Sequence, residues 1–415
     1  MWCLVKHSDE QKFLLLAVKN ICSDNTVADV RERLAELCSE GLDWLYIQQQ
    51  AHAHGIGSFI YEYCASQNND VSIPLDIRQY FQDVYQQTYL QNSLLYRQFD
   101  LLLQEFEKRR IVPVLLKGIM LAKWVYPSIA FRPMRDIDLL LKIQDLPAAI
   151  EVMRTLGYSN ILKHLTYLSA WHKRHEERLF SELEYQGYHL PTFIKNVGIV
   201  NVCVELHHHL TPLMKTEHVQ SVALADSAFN IRTLQPEYFL LHLCFHLHHH
   251  AQQNPPPRLI WYCDIAMYLK SLDTQVNWEV FRSLCRQFQV EEQVRHTLLE
   301  AQSLFGFPLP SAIFPSEQNV HCHLNTLLFE QEPGQEQLFF RTLFRHKKNE
   351  FGRYLWESLF PSREFLIHRY AIRHRWLVPF YYPLRLAKAF VRGMRFGIFF
   401  LRQEVAALLD RQTKA

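Results

Sequence analysis

Apolar residues recur at spacings of three and four along the first hundred residues, and this pattern predicts helices. One such stretch, VADVRERLAELCSEGLDWLYIQQQAHAHG, ends at Gly55, a residue type that commonly stops a helix. A second stretch, IRQYFQDVYQQTYLQNSLLYRQFDLLLQEFEKRR, ends in a basic cluster that suits a helix C-terminus. We therefore expect the N-terminal part of the chain to be helical.

The spacing of apolar residues changes between residues 111 and 210. Strands are predicted for IVPVLLKG, DIDLLLK and VGIVNVCVELHHHL, with helices in IMLAKWVYP and LPAAIEVMRTLGY. From about residue 216 the helical pattern returns, first in PEYFLLHLCFHLHHHA and then in LIWYCDIAMYLKSL. These patterns predict an α+β fold in which a small mixed sheet with helices is embedded between N-terminal and C-terminal helical regions.

The same changes of pattern divide the chain into four regions. We predict an N-terminal helical region, a core that contains the sheet, a helical domain and a C-terminal helical basic tail, at residues 1–95, 96–215, 216–335 and 336–415.

Composition adds that the protein is globular and cytoplasmic. The 415 residues are 48% hydrophobic with a formal net charge of +2, which excludes extensive disorder and argues against a nucleic-acid partner. The nine cysteines are scattered and form no C-x-x-C pair, as expected for reduced thiols in the cytosol. The N-terminus does not have the pattern of a signal peptide, and no apolar run has the length of a membrane span.

Two aspartates interrupt the apolar run RPMRDIDLLLK. On a strand, Asp136 and Asp138 project from the same face, about 6.6 Å apart, while Ile137 and Leu139 face the core. Two carboxylates this close repel each other unless a cation lies between them, and Mg²⁺ prefers such oxygen ligands. The alternative is an edge strand with two solvated acids.

The strand at residues 197–210 adds a third acid. It places Cys203, Glu205 and His207 on one face, so Glu205 is another carboxylate within an apolar strand. Three carboxylates from two neighbouring strands suit a two-metal site for in-line displacement at phosphorus. Gly118, between a strand and a helix, would present backbone N–H groups to an anion.

The segments VLLKGIMLAKWVYPSIAFRPMRDIDLLLK, DLPAAIEVMRTLGY and VELHHHL resemble the uncharacterised nucleotidyltransferase family of bacterial biosynthetic gene clusters, a branch of the DNA polymerase β-like superfamily. The flanking segments AHAHGI, QNSLL and LHLCFHLHHH are similar to the helices of that family. The shared pattern comprises Lys117, Gly118, Arg132, Asp136, Asp138, Gly157, Tyr158, Glu205 and His207. The chain departs from the superfamily at Ile119, where a serine or glycine is usual, and in the seventeen residues that separate Gly118 from Asp136.

The resemblance implies a nucleotidyltransferase-type sheet and a metal-dependent transfer of a nucleotidyl group. Asp136, Asp138 and Glu205 would be the catalytic residues and the ligands of Mg²⁺ or Mn²⁺. The expected contacts with the nucleotide come from Lys117, Gly118, Arg132 and Arg135.

The substrates implied are an NTP, with ATP expected, and a small-molecule, peptide or saccharide acceptor. Two alternatives remain for the basic residues: Lys117 as a solvated lysine at a strand end, and the arginines as structural partners of the acids. A nucleotide-binding protein of the same fold with little or no turnover is the alternative function.

Three histidines share one face of a predicted helix. His242, His246 and His250 are spaced i, i+4 and i+8, a spacing that can bind zinc, but no cysteine or carboxylate lies at a matching interval. A structural role is favoured, and contact with a nucleotide or acceptor is the third interpretation. Asp264 is expected either to anchor one of these imidazoles or to be a helix N-terminal charge.

The C-terminal tail carries a basic stripe. Arg385, Lys388, Arg392, Arg395 and Arg402 share one face of a predicted helix. Such a helix suits an anionic membrane surface or a polyanionic acceptor, and the alternative is a terminal helix docked on the core. No motif specifies an oligomeric state.

Overall fold

The computed structural model describes residues 8–23, 27–66, 73–160, 188–198, 200–211, 214–224, 227–253, 257–272, 276–310, 379 and 382–383. The chain forms two compact units, one of residues 1–161 and 180–330 and the other of residues 162–179 and 331–415. All elements below belong to the first unit. The basic helix predicted at 385–402 lies outside the described residues, and the division into four regions stays a prediction.

The N-terminal part is helical, as the pattern predicts. Its helices are α1 (Asp9–Cys22), α2 (Val27–Ser39), α3 (Trp44–His54), α4 (Gly57–Ser66) and α5 (Leu75–Lys108). The stretch that precedes Gly55 forms two helices, α2 and α3. Gly55 caps α3 with a φ of 69°, a left-handed conformation that glycine adopts without a steric penalty.

The first unit contains a seven-stranded mixed sheet. Its strands are β1 (Val114–Leu115), β2 (Asp136–Leu140), β3 (Ser159–Asn160), β4 (Phe193–Val197), β5 (Val200–His207), β8 (Ser221–Ala223) and β9 (Arg232–Leu234), and a separate hairpin contains β6 (His209–Thr211) and β7 (Met214–Lys215). The order across the sheet is β3-β4-β5-β2-β1-β9-β8. β2 is parallel to β5 and antiparallel to β1, whereas β1 is parallel to β9.

Further helices lie between these strands or follow them in the sequence. They are α6 (Lys117–Trp124), α7 (Leu146–Thr155), α8 (Pro236–Gln253), α9 (Leu259–Leu272), α10 (Trp278–Gln287) and α11 (Glu291–Phe305). One continuous cluster of buried apolar side chains joins the sheet and the helices. The predicted α+β class is therefore confirmed. Among the helices of the described residues, none is both long enough and apolar enough to cross a membrane.

Three local predictions differ from the structure. The strand expected at 111–118 is only two residues long, because helix α6 already begins at Lys117. The strand expected at 197–210 is interrupted by a turn at Gly198, which joins β4 to β5. Helix was expected from about residue 216, but residues 221–234 contain β8 and β9. These strands are three residues each, too short to show a period, and they are extended because they pair with each other and with β1.

Candidate functional site

Parallel pairing of β2 with β5 brings the predicted acids together. The register places Asp136 opposite Cys203, Asp138 opposite Glu205, and Leu140 opposite His207. Ile137 and Leu139, on the other face of β2, are fully buried in the core. The alternation of polar and apolar residues therefore places the carboxylates of both strands on the same face of the sheet.

Asp138 is the centre of a hydrogen-bonded cluster. Its Oδ1 accepts hydrogen bonds from Lys117 Nζ at 3.0 Å and from His207 Nε2 at 2.9 Å. His207 Nε2 also lies 3.7 Å from Glu205 Oε2, and Thr192 Oγ1 donates to Glu205 Oε1 at 3.0 Å. Ligand atoms of Asp138, Glu205 and His207 all lie within 4.8 Å of one another, so these three side chains could hold one metal ion.

The electrostatics of the site leave two carboxylates ionised. Burial disfavours the charge of Asp138, but the cation of Lys117 and the hydrogen bond from His207 outweigh it and hold the pKa of Asp138 well below its usual range. Burial also opposes ionisation of Glu205, yet the pKa of Glu205 is lowered by His207. The pKa of Lys117 is raised against its own burial, chiefly by the charges of Asp138 and Glu205.

Asp136 behaves differently from the other two acids. Its burial and the nearby charge of Asp138 raise the pKa of Asp136 to about 7. Without a bound cation this carboxyl therefore titrates close to neutrality. An arriving cation would favour its ionised form, since opposite charge stabilises a carboxylate.

The turn between β1 and α6 holds Lys117 in an unusual backbone conformation. Its φ is 44°, in the left-handed region that costs a residue other than glycine about 1–3 kcal/mol. The N–H of the preceding Leu116 donates to the carbonyl of Asp138 at 3.2 Å, which ties this turn to β2. Strained residues of this kind cluster at functional sites, and here the strain accompanies the ion pair with Asp138.

Gly118 is closely packed against the loop that precedes β2. A Cβ at this position would lie 3.2 Å from Met134 Cγ and 3.5 Å from Arg132 Nη1, so a larger residue would push against the loop that precedes β2. The expected contact of its backbone N–H with a phosphate stays a prediction.

The two predicted arginines have different environments. Arg132 is 9% exposed, and its Nε and Nη2 donate to Asp264 Oδ1 and Oδ2 at 2.9 and 2.8 Å. Tyr126 donates its hydroxyl to the same carboxylate at 2.8 Å. Arg132 thus ties the loop before β2 to α9, whereas Arg135 is exposed and has no ion pair within the described parts of the chain. Their predicted phosphate contacts remain predictions.

Asp264 itself differs from both expectations made for it. It lies inside α9, away from the helix N-terminus, and its hydrogen bonds come from Arg132 and Tyr126.

Asn92 of α5 secures the same loop. Its side-chain amide donates to the carbonyls of Ile129 and Arg132, and its Oδ1 accepts from the backbone N–H of Met134 at 3.3 Å. Asn92 is fully buried, so these bonds have no competition from water. The loop that leads into Asp136 is therefore held by a side chain that the sequence analysis did not select.

The histidines of α8 lie within electrostatic range of the cluster. Burial is the main cause of a lowered pKa at His242, His246 and His250, and the charge of Lys117 is the next cause for each of them. The group of potential metal ligands found in the described residues does not include any of these three, so the structure lends the zinc interpretation no support.

Sequence reasoning did not assign a role to several residues at the site. His207 lies two positions after Glu205, and strand alternation alone places it on the same face. Thr192 and Asn92 carry no comparable signal, because their contacts join segments far apart in the chain. The histidine spacing was visible in the sequence, but the burial of these rings depends on how α8 packs.

One comparison with known protein families found a match. A family model described as uncharacterised nucleotidyltransferase matches residues 40–306, a range that contains α3 to α11 and the whole sheet. No curated protein and no solved structure matches the chain.

Proposed function

The chain belongs to the uncharacterised nucleotidyltransferase family, and on this premise we propose that it is a metal-dependent enzyme which transfers a nucleotidyl group from an NTP to a small-molecule, peptide or saccharide acceptor. The observation that carries this proposal is the convergence of Asp138, Glu205 and His207 within 4.8 Å of one another. We infer ATP as the nucleotide, the cytoplasm as the location and the DNA polymerase β-like superfamily as the wider group.

The side chains present fit a divalent ion. The carboxylates of Asp138 and Glu205 supply oxygen ligands, which Mg²⁺ and Mn²⁺ prefer. His207 Nε2 would join them only after it gives up its hydrogen bond to Asp138, since a nitrogen that carries a proton cannot bind a metal. Asp136, on the same strand as Asp138, would complete the ligands of a second ion in a two-metal arrangement. Bound ions of this kind neutralise charge on a triphosphate and lower the pKa of an attacking hydroxyl.

The chain's own groups have distinct parts in this reaction. The acceptor oxygen would form a bond to the α-phosphorus as the bond to the pyrophosphate oxygen breaks, and the hydroxyl proton would pass to a carboxylate. Arg135 and the backbone N–H of Gly118 would contact the departing phosphates.

One contact favours the alternative, a nucleotide-binding protein with little or no turnover. Lys117 Nζ is already paired with Asp138 Oδ1. A metal ion that binds this oxygen must either displace the amine or share the oxygen with it. A chain that keeps the amine in place would bind a nucleotide without activating the acceptor.

Thermal shift measurements test the proposal. We expect ATP to raise the Tm only together with Mg²⁺ or Mn²⁺, and less effect from CTP, GTP and UTP. Asp138→Ala should abolish the joint effect, whereas Asp100→Ala, which removes an exposed acid on α5, should preserve it. Unchanged stabilisation of Asp138→Ala would show that the site is assigned wrongly.

Turnover is tested separately by pyrophosphate release and mass spectrometry in a cell extract supplied with ATP. A nucleotidylated product that requires Asp138 supports the enzyme. Nucleotide binding with no product in the extract supports the alternative.

A further inference from the structure

A pocket of about 660 Å³ lies across four neighbouring strands of the sheet, β2, β1, β9 and β8. Its volume is in the range of small-molecule sites. Val114 of β1 pairs with both Leu140 of β2 and Arg232 of β9, so these three side chains project from the same face of the sheet. All three line the pocket, and so does Ser221 of β8.

This pocket is separate from the carboxylate cluster, although it lies on the same face of the sheet. Leu140 follows Asp138 by two positions on β2, so its side chain shares that face and lies about 6.6 Å further along the strand. Asp136, Asp138 and Glu205 do not line the pocket. A ligand in the pocket would therefore share none of these carboxylates with a nucleotide.

One part of the lining is apolar. It consists of Val112, Val114, Leu140, Leu141, Ile143 and Val219. Ile143 is 51% exposed, which is unusual for a large apolar side chain, and a bound ligand would remove part of it from water. The pocket thus suits a ligand with an apolar body.

The charged side chains of the pocket are both basic. Lys142 and Arg232 line it, and the lining contains no aspartate or glutamate. Neither of these cations forms an ion pair with any residue in the part of the chain that the structure describes. Positive charge in a concave site without an acidic partner attracts an anion.

Arg232 is held in place by β8. Its Nε donates to Ser221 Oγ at 2.8 Å, and its Nη2 donates to the carbonyl oxygen of Ser221. Its Nη1 has no acceptor among the described residues, so the hydrogens of Nη1 can be donated to a ligand. Guanidinium groups bind carboxylates strongly, and a side chain that is already fixed loses little conformational freedom on binding.

The number of cations limits the charge of the ligand. Arg232 is the half-buried cation of the pocket, and Lys142 is exposed. One guanidinium matches one acid group, whereas a triphosphate carries several negative charges and is usually bound together with metal ions. The lining therefore favours a singly charged organic acid over a nucleotide.

We propose that this pocket is a second small-molecule site, which binds an organic acid with an apolar body. Arg232 holds the carboxylate, and the apolar body packs on Val114, Leu140 and Val219. The inference goes beyond the proposed nucleotidyl transfer and does not depend on it, because the carboxylates of the cluster have no part in this pocket.

Octanoate is a suitable probe, since it combines one carboxylate with an apolar chain. Isothermal titration of the full chain would compare octanoate with octan-1-ol, which has no charge, and with acetate, which has almost no apolar surface. We expect octanoate to bind more tightly than both. Arg232→Gln should bind octanoate about tenfold more weakly, the usual effect of losing a hydrogen bond between charged groups. Arg97→Gln, at an exposed arginine on α5, is the matched control and should bind octanoate like the wild type.

A second measurement needs no substitution, so it does not depend on the folding of a variant. Phenylglyoxal modifies accessible guanidinium groups, and mass spectrometry locates the modified arginines. In the wild type, octanoate should protect Arg232 from modification and leave Arg97 unprotected.

Several results would overturn the second site. They are equal affinities for octanoate and octan-1-ol, unchanged octanoate affinity in Arg232→Gln, or no protection of Arg232 by octanoate. Protection of Arg232 by ATP with Mg²⁺ but not by octanoate would assign the pocket to the nucleotide instead. None of these results would contradict the proposed function, which is tested at Asp138.

Discussion

Lys117 Nζ lies 3.0 Å from Asp138 Oδ1, so the most buried acid of the site has its counter-charge supplied by the chain itself. The side chains of this pair are 14% and 3% exposed, and burial makes a lone charge expensive. The site can therefore fold with an ionised Asp138 before any metal binds. A metal ion that arrives later competes with the amine for the same oxygen.

We predict that Lys117→Met makes the metal-free protein less stable and increases the stabilisation that Mn²⁺ provides. Loss of the amine leaves Asp138 buried without its cation, and the free energy of unfolding in EDTA should fall by about 3 kcal/mol. Mn²⁺ should raise the Tm of this variant more than that of the wild type, because the ion now replaces a missing charge. Calorimetry with and without Mn²⁺ measures both effects.

Lys123→Met is the matched control for this experiment. Lys123 is exposed on the same helix, α6, where its amine lies 5.0 Å from the ring centroid of Trp124. Its replacement should therefore lower stability in EDTA by no more than about 1 kcal/mol and leave the response to Mn²⁺ unchanged. The same Mn²⁺ response in Lys117→Met as in the wild type would show that amine and metal do not compete.

Asp136 gives the site a pH dependence that can be measured without substrate. Its pKa of about 7 in the folded protein lies above the value of about 3.9 for an unfolded aspartate, because burial and Asp138 disfavour its charge. The folded state therefore binds more protons between these two values. The contribution of Asp136 to stability is full below about pH 4 and is lost as the pH rises to about 7.

The comparison with Asp136→Asn isolates this effect, since asparagine does not ionise. In EDTA, the variant should gain stability relative to the wild type between pH 5 and pH 8, by urea unfolding at each pH. Asp100→Asn, at an exposed acid, should show a difference that does not change over this range. A constant difference for Asp136→Asn as well would mean that Asp136 ionises normally.

The sequence predicted much of this site because strand geometry is local. The alternation of Asp136, Ile137 and Asp138 specifies which side chains share a face, and pairing with β5 then places Glu205 beside Asp138. Gly55 at the end of α3 could be predicted for the same reason, since a left-handed cap is a property of one residue and its neighbours.

The features that sequence reasoning missed depend on contacts between distant segments. Strands β8 and β9 are extended because they pair in the sheet, and their three-residue length contains no period. Arg132 could be expected near the acids, but its pairing with Asp264 joins positions 132 residues apart. Such contacts follow from how helices pack, which no local pattern encodes.

We predict that Asp264→Asn is strongly destabilising. The substitution leaves the buried guanidinium of Arg132 without a carboxylate, and breaking a buried ion pair in this way costs about 3–5 kcal/mol. The double variant Arg132→Met with Asp264→Leu removes both charges and should recover most of that loss. Chemical unfolding of the wild type, Arg132→Met, Asp264→Leu and the double variant measures the coupling.

Arg132→Lys is the informative conservative change at this pair. Lysine keeps the charge but cannot place two parallel N–H groups on Asp264, so we expect it to be less stable than the wild type. Arg135→Ala should leave stability unchanged, since Arg135 is exposed. Equal stability of Arg132→Lys and the wild type would mean that the paired geometry contributes nothing.

Asn92 provides the last prediction, because this residue of α5 holds the loop that precedes β2. Asn92→Asp places a carboxylate against the carbonyl oxygens of Ile129 and Arg132. It should therefore lower the free energy of unfolding at pH 7.5 by about 3 kcal/mol. It should also weaken Mn²⁺ binding, because the displaced loop moves Asp136. The loss of stability should be smaller at pH 5, where protonation restores one donor. Ser93→Ala, which removes a hydroxyl bonded within the same helix, is the control and should leave Mn²⁺ affinity unchanged. A stable Asn92→Asp protein with wild-type Mn²⁺ affinity would show that Asp136 is positioned by the sheet alone.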